Sequence, residues 1–159
     1  MKEPRNLLCD SCNRNYILER IEERVMAKID ILVDRCIGCR LCEAVCSARF
    51  VGNFNSARAA VYVKSSLPED TLIRPFMCIH CDEHPCVDSC PVAAIVKNEE
   101  TGLYAVDKNL CTGCGACVQA CPYSGIRLAP VDKLAIKCDF CNGQPRCVDV
   151  CPKKTITVI

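Results

Sequence analysis

Tryptophan is absent from this 159-residue chain, and only four Phe and four Tyr are present. With cysteine set aside, the apolar set is lean for the length. That excludes a core built from large side chains alone and requires something else to fill the interior. Neither sign of charge is in excess: 20 Lys and Arg stand against 19 Asp and Glu, a formal net charge of +1. Such a balance carries no footprint of a nucleic-acid binder and no acidic tail. Long hydrophobic runs are missing, and no stretch approaches the roughly twenty apolar residues that a membrane span needs. The opening "MKEPRNLLCDSC" holds no apolar core of a secretory signal, which predicts a cytoplasmic chain. Histidine is confined to His80 and His84. No phosphate-binding glycine loop, no Ser-His-Asp set and no independent Cys-His pair is visible, and nothing marks a pterin or flavin site. No catalytic residue is assigned, so substrate chemistry is expected on a partner chain.

What the chain does have is cysteine, eighteen of them. In a reducing compartment this number reads as metal ligation rather than as a disulfide framework. Sixteen fall into four groups of four: Cys36, Cys39, Cys42, Cys46; Cys78, Cys81, Cys86, Cys90; Cys111, Cys114, Cys117, Cys121; and Cys138, Cys141, Cys147, Cys151. Motifs I and III have spacing x2, x2, x3; motif II has x2, x4, x3 and motif IV x2, x5, x3. Motifs II to IV end in Cys-Pro, whereas motif I ends in Cys46-Ser47.

This is the Cys-x2-Cys-x2-Cys-x3-Cys-Pro run of bacterial ferredoxins. Three thiolates on a tight loop suit one 4Fe–4S cubane, and Gly38, Gly113 and Gly115 keep two of the loops compact. The fourth cysteine lies past the loop, where in two-cluster ferredoxins it reaches the neighbouring cluster. Zinc is the competing reading of any Cys-x2-Cys pair, but it uses two pairs per ion or adds histidine, and does not call for four repeats of this quartet.

The flanks repeat as well. "AAIVK", "GIRLA" and "TITVI" follow the three Cys-Pro steps and read as strands, as do "ILVDRC" and "YAVDKNLC" ahead of motifs I and III. "AAIVKNEETGLYAVD" reads as a hairpin. The predicted fold is therefore α+β: two fused bacterial-ferredoxin-like modules over residues 30–159, with short antiparallel strands, cluster loops and short helices. Ile37, Leu41, Val45, Val118 and Ile126 are expected to form a dry shell around the loops. Arg40 and Lys137 are either cations that favour a reduced cluster or solvated charges. His80, inside "CIHC", is either a proton-coupled tuner or a packing residue; His84 is expected on the surface of the inserted loop. The insertions "DEHP" and "NGQPR" are candidate docking faces.

Residues 1–29 form an extension. Ile17, Ile21 and Val25 recur at helical spacing within residues 13–28, with Asn13 or Asn15 as a cap, either packing on the body or docking a partner. Cys9 and Cys12 stand ahead of it. Two thiolates do not complete a tetrahedral zinc site. The pair is a zinc site finished by a neighbouring chain, a pair of plain thiols, or a redox-active pair.

The segments "DRCIGCRLCEAVC", "MCIHCDEHPCVDSCPVAAI", "DKNLCTGCGACVQACPYSGI" and "IKCDFCNGQPRCVDVCP" resemble the four-cluster iron–sulfur subunits of molybdenum- and tungsten-pterin oxidoreductases, of the dimethyl sulfoxide reductase and formate dehydrogenase type. The short fourth motif and "GNFNSARAAVYV" look most like the small subunits of tungsten aldehyde oxidoreductases and of class II benzoyl-CoA reductase complexes. The resemblance implies ligands shared crosswise. Quartet 1 is then Cys36, Cys39, Cys42 and Cys151; quartet 2 is Cys138, Cys141, Cys147 and Cys46; quartet 3 is Cys78, Cys81, Cys86 and Cys121; quartet 4 is Cys111, Cys114, Cys117 and Cys90. It further implies electron transfer without catalysis, a large tungsten- or molybdenum-pterin partner subunit, and a further donor or acceptor subunit or ferredoxin. Four oxidised clusters would take the formal charge from +1 to about −7.

Overall fold

Each run of aliphatic residues beside a cysteine motif has a pairing partner elsewhere in the chain, and the pairs are only three or four residues long. In the computed structural model, which describes residues 28–65 and 73–159, these runs form four antiparallel ribbons. β1 (Ile29–Ile31) pairs with β8 (Ile156–Val158), joining the two ends of the described chain, with Ile29 opposite Val158. β2 (Tyr62–Ser65) pairs with β3 (Ile73–Phe76). β4 (Ile95–Lys97) pairs with β5 (Tyr104–Val106), the hairpin read from the sequence. β6 (Ile126–Leu128) pairs with β7 (Ala135–Lys137).

The strand read at "ILVDRC" lies earlier than its letters suggest. β1 stops at Ile31, and Val33–Arg35 turns as a 3-10 helix, with the Arg35 and Cys36 N–H groups donating to the Leu32 and Val33 carbonyls at 3.0 Å. Lys28 and Ile159 exchange backbone hydrogen bonds at 3.0 Å, so the ribbon reaches into the region assigned to the extension. Residues 13–27 of the expected helix, and Cys9 and Cys12, lie outside the described residues.

Four short helices follow the loops: α1 (Leu41–Val51), α2 (Pro85–Asp88), α3 (Ala116–Ala120) and α4 (Arg146–Val150). α1 packs on α4 and α2 on α3. Motif I is thereby set beside motif IV, and motif II beside motif III. The fold is α+β with repeated hairpins and short helices, that of fused ferredoxin-like modules.

The interior is as thin as the composition demands, and cysteine is part of it. One buried group joins Ile29, Val61, Met77, Phe140 and Ile156 to Cys46, Cys78, Cys138 and Cys147. A second joins Ile95, Ile126 and Ala135 to Cys86 and Cys117. Ile126 is buried as expected of a dry shell, and Val45 and Val118 are half-buried. Ile37 and Leu41 are not: they line the first loop's cavity yet remain 55% and 43% exposed, at its open edge.

Candidate metal centres

The loops owe their curl to backbone in the left-handed region. The residue two places after the first cysteine has positive φ in every motif: Gly38 at 69°, His80 at 57°, Gly113 at 71° and Phe140 at 56°. Glycine is required where space runs out. A Cβ on Gly113 would lie 2.6 Å from the Lys133 carbonyl oxygen. The same conformation returns two places before the third cysteine at Arg40, His84 and Gly115. In motif IV Pro145 holds that place at φ −70°, and the longer loop curls instead at Cys141 and Asn142.

The loops and exits present N–H groups to sulfur. The Ala94, Gly125 and Thr155 N–H groups donate to Cys90 (3.2 Å), Cys121 (3.3 Å) and Cys151 (3.3 Å), in each case four residues on. Motif I does it differently. α1 runs straight through Cys46, so the donor comes from fourteen residues away, the Ala60 N–H at 3.2 Å. Fully buried Ser47 makes this possible. Its hydroxyl donates to the Ala44 carbonyl and accepts the Asn55 N–H, both at 3.0 Å, holding the following loop over the cysteine. The His80 and Phe140 N–H groups reach Cys78 at 3.4 Å and Cys138 at 3.3 Å. Burial pushes the Cys151 thiol up, but the Thr155 and Lys153 backbone donors outweigh it and hold it below the ordinary thiol range.

The thiols of different motifs come together. Cys36, Cys39, Cys42 and Cys151 line one apolar cavity. Cys90, Cys111, Cys114 and Cys117 line another. The inner thiols are more tightly enclosed. Burial pushes Cys147 up to about 12, with Cys141 and Cys46 adding to it. Burial likewise pushes Cys86 up to about 11; Lys137 opposes the rise, and Cys78, Cys121 and Cys81 add to it. Gly125 explains how Cys121 gets there: a Cβ on it would lie 2.7 Å from the Cys78 Cα, so only glycine allows the third exit to rest on the second loop.

Thiols of different motifs also influence one another: Cys42 adds to the rise of Cys147, and Cys78 adds to that of buried Cys138. Motifs II and III adjoin through packed α2 and α3. Cys39 and Cys114, at the two outer quartets, are the exposed thiols among the described residues. Among those residues no three Cys, His, Asp or Glu side chains converge on a single-ion point. In each of the two outer hollows, thiols of two motifs meet four together, the donor number and type that a 4Fe–4S cubane takes.

The charged and aromatic neighbours differ in part from their sequence reading. Arg40 is exposed, as its solvated reading has it, and also pairs at 3.6 Å with buried Glu43, whose carboxylate accepts the Val63 N–H. His84 packs on the Tyr104 ring at 4.5 Å rather than standing clear of the surface. His80 is buried, and its Nε2 has no partner among the described residues. Desolvation first, then the charges on Lys137 and His84, lowers it to about 3. In the insertions, Asp82 pairs with Lys28 and the "NGQPR" loop buries Gly143. Sequence reasoning missed Glu43, and also Asp139, which pairs with Arg49 at 2.8 Å across the α1–α4 side. Nothing in their local pattern sets them apart from surface acids.

Repeated thiol loops with N–H groups aimed at sulfur, on paired short ribbons and helices, define a ferredoxin-type iron–sulfur protein. The chain belongs to the 4Fe-4S dicluster domain family: two family models of that description match residues 69–159 and 35–95. It is 37% identical over 123 residues to the aliphatic sulfonate oxidoreductase polyferredoxin-like subunit of Pyrococcus furiosus, covering 77% of this chain and 69% of that one. It is 40% identical over 111 residues to a tetrathionate reductase subunit of Archaeoglobus fulgidus, covering 69% of this chain and 52% of that one. Among solved structures it resembles the active site complex BamBC of benzoyl-coenzyme A reductase with benzoyl-CoA bound, at 27% identity and a TM-score of 0.51, over 86% of this chain and 80% of that one. The matched region spans about half the length of several curated relatives. Among the described residues no helix is long and apolar enough to cross a membrane.

Proposed function

We propose that the sixteen cysteines hold four 4Fe–4S clusters in the crosswise quartets, over a body spanning residues 30–159. On this reading the chain is the non-catalytic electron-transfer subunit of a cytoplasmic oxidoreductase whose large catalytic subunit carries tungsten- or molybdenum-pterin. A further donor or acceptor, a subunit or a ferredoxin, serves its other end. The observation that supports it is the meeting of thiols from different motifs, Cys151 with Cys36, Cys39 and Cys42, and Cys90 with Cys111, Cys114 and Cys117, each set holding one exposed thiol, Cys39 or Cys114. A bound cluster takes up and gives up one electron without rearranging bonds in a substrate. The protein's own contribution is to exclude water from the inner thiols, to aim backbone N–H groups at sulfur, and to fix the order. The relatives' names support a complex, since each is a subunit of a reductase or oxidoreductase.

The test pairs cysteines from distant motifs. Cys36→Ala and Cys151→Ala should each remove a quarter of the iron and the same electron paramagnetic resonance signal, and the double variant should lose no more. Two different lost signals would overturn the quartets. Anaerobic purification of the native chain should bring down a large pterin-containing subunit. Purification as a lone brown carrier favours a free polyferredoxin, and a colourless zinc-loaded chain would exclude both. Zinc at Cys9 and Cys12 is tested by metal analysis of the Cys9→Ser/Cys12→Ser double variant.

A further inference from the structure

Lys137 and Met77 hold one structural position twice. Each directly precedes the first cysteine of an inner motif, Cys138 or Cys78, and each is buried, at 6% and 2% exposure. Met77 belongs to the core group that contains Cys46, Cys138 and Cys147, three thiols of quartet 2, together with its own neighbour Cys78. Lys137 ends β7, opposite Ile126, and its ammonium donates to the Tyr104 carbonyl at 2.7 Å. Tyr104, whose carbonyl it holds, packs against the buried group that contains Cys86 of quartet 3, and the ammonium's charge bears on Cys86 and on His80, inside the same loop.

A buried ammonium is costly unless an anion faces it. Lys137 makes no ion pair among the described residues. Asp132 and Asp139, which share a cavity wall with it, pair instead with Arg58 and Arg49. A carbonyl oxygen does not balance a full charge. The anion that suits this place is the iron–sulfur centre of quartet 3, which carries about −2 when oxidised and one more negative charge when reduced.

We propose that Lys137 is the built-in counter-charge of the quartet 3 centre. It stabilises that centre's reduced state and sets its potential above that of quartet 2, where neutral Met77 fills the matching place. The inference rests on the quartets proposed above. The two inner stations of the relay are then unequal by construction, and an electron rests more readily at quartet 3 than at quartet 2.

The experiment is a redox titration followed by electron paramagnetic resonance on the full chain, purified anaerobically with whatever subunits accompany it. Wild type is compared with Lys137→Met, Lys137→Gln and Lys137→Arg. Cys86→Ala identifies the quartet 3 signal by its loss. The Met and Gln variants should move that one midpoint to more negative potential and leave the other three in place, while Arg keeps it near wild type. Unmoved midpoints, an equal shift of all four, or a shift confined to another quartet would overturn the proposal. If the neutral variants lose the quartet 3 iron alone and Arg retains it, the counter-charge stands. If Arg loses it as well, the charge is not what matters and the proposal falls. Failure of the quartets themselves would look different: Cys86→Ala and Cys121→Ala would then remove two different signals instead of the same one.

Discussion

The rings of His80 and Phe140 meet edge to face, with centroids 5.5 Å apart and planes at 84°. Both residues stand two places after the first cysteine of their motifs, both are buried, and both have positive φ. At the same place motifs I and III have Gly38 and Gly113. The loop geometry requires left-handed backbone there, which glycine adopts without strain. The inner motifs accept the strain and use the side chains to fill the seam between quartets 2 and 3. His80 is therefore a packing residue, as one of its two sequence readings held.

Gly125 seats the third exit on the second loop. In Gly125→Ala the new methyl would lie 2.7 Å from the Cys78 Cα and 2.8 Å from the Met77 carbonyl oxygen. Both are backbone atoms, so the two segments must part, at a cost of about 1–3 kcal/mol. The variant should lose iron selectively from the quartet containing Cys78 and Cys121. Gly52→Ala is the comparison. It meets no atom within 4 Å, and only its φ of +73° is strained. It should cost about 1 kcal/mol and leave iron content unchanged.

Motif I lacks its proline because α1 does not stop there. α3 and α4 end at Ala120 and Val150, one residue before the last cysteine, and proline follows; α1 continues to Val51. Ser47→Pro, which makes motif I match the others in sequence, should therefore destabilise by about 3 kcal/mol. Ser47→Ala should cost about 1–2 kcal/mol by leaving the Asn55 N–H unpaired. Chemical denaturation of both variants beside wild type provides the ranking, and a stabilised Ser47→Pro would refute the account.

Sixteen cysteines in four spaced groups made the cofactor class and the modular fold legible, because thiol spacing is a local property. The β4–β5 hairpin was legible for the same reason. The strand limit at Ile31 was not, because the turn at Val33–Arg35 is set by the approach to Cys36 and not by the apolar pattern of "ILVDRC". Nor was the exposure of Ile37 and Leu41, since a hollow near the surface has an open rim that periodicity does not describe. Burial of Lys137 and the tie of Glu43 to Arg40 and Val63 depend on how the folded segments come together. A single charged letter carries no sign of them.

Because cysteine supplies so much of the interior, removing iron should dissolve the fold. Cys138 is pushed well above the ordinary thiol range by burial, and Cys42 and Cys147 rise to about 12 for the same first reason. At neutral pH the metal-free thiols keep their protons, leaving hollows lined by protonated sulfur with no metal to bridge the motifs. Chelator-treated protein should lose hydrogen-exchange protection in all four ribbons. Reloading should release protons and proceed further as pH rises. Native-like protection in the iron-free chain would contradict this.

The two ends of the series are open to partners in a way the middle is not. Ile37 and Leu41 flank the cavity of quartet 1, and Leu110, 49% exposed, directly precedes Cys111 of quartet 4. An apolar residue over a terminal centre excludes water where a partner must approach, and its replacement by a charge costs binding. Ile37→Glu and Leu110→Glu should each leave iron content and spectra unchanged. Each should weaken one association by tenfold or more, about 1.4 kcal/mol, and the two should affect different partners. Val131, 79% exposed in the β6–β7 turn and outside both cysteine-lined cavities, is the control, and Val131→Glu should change neither association. Binding of each variant to the proposed catalytic subunit and to the proposed further donor or acceptor separates the outcomes. If both end variants weaken the same partner, the relay does not run from one exposed quartet to the other.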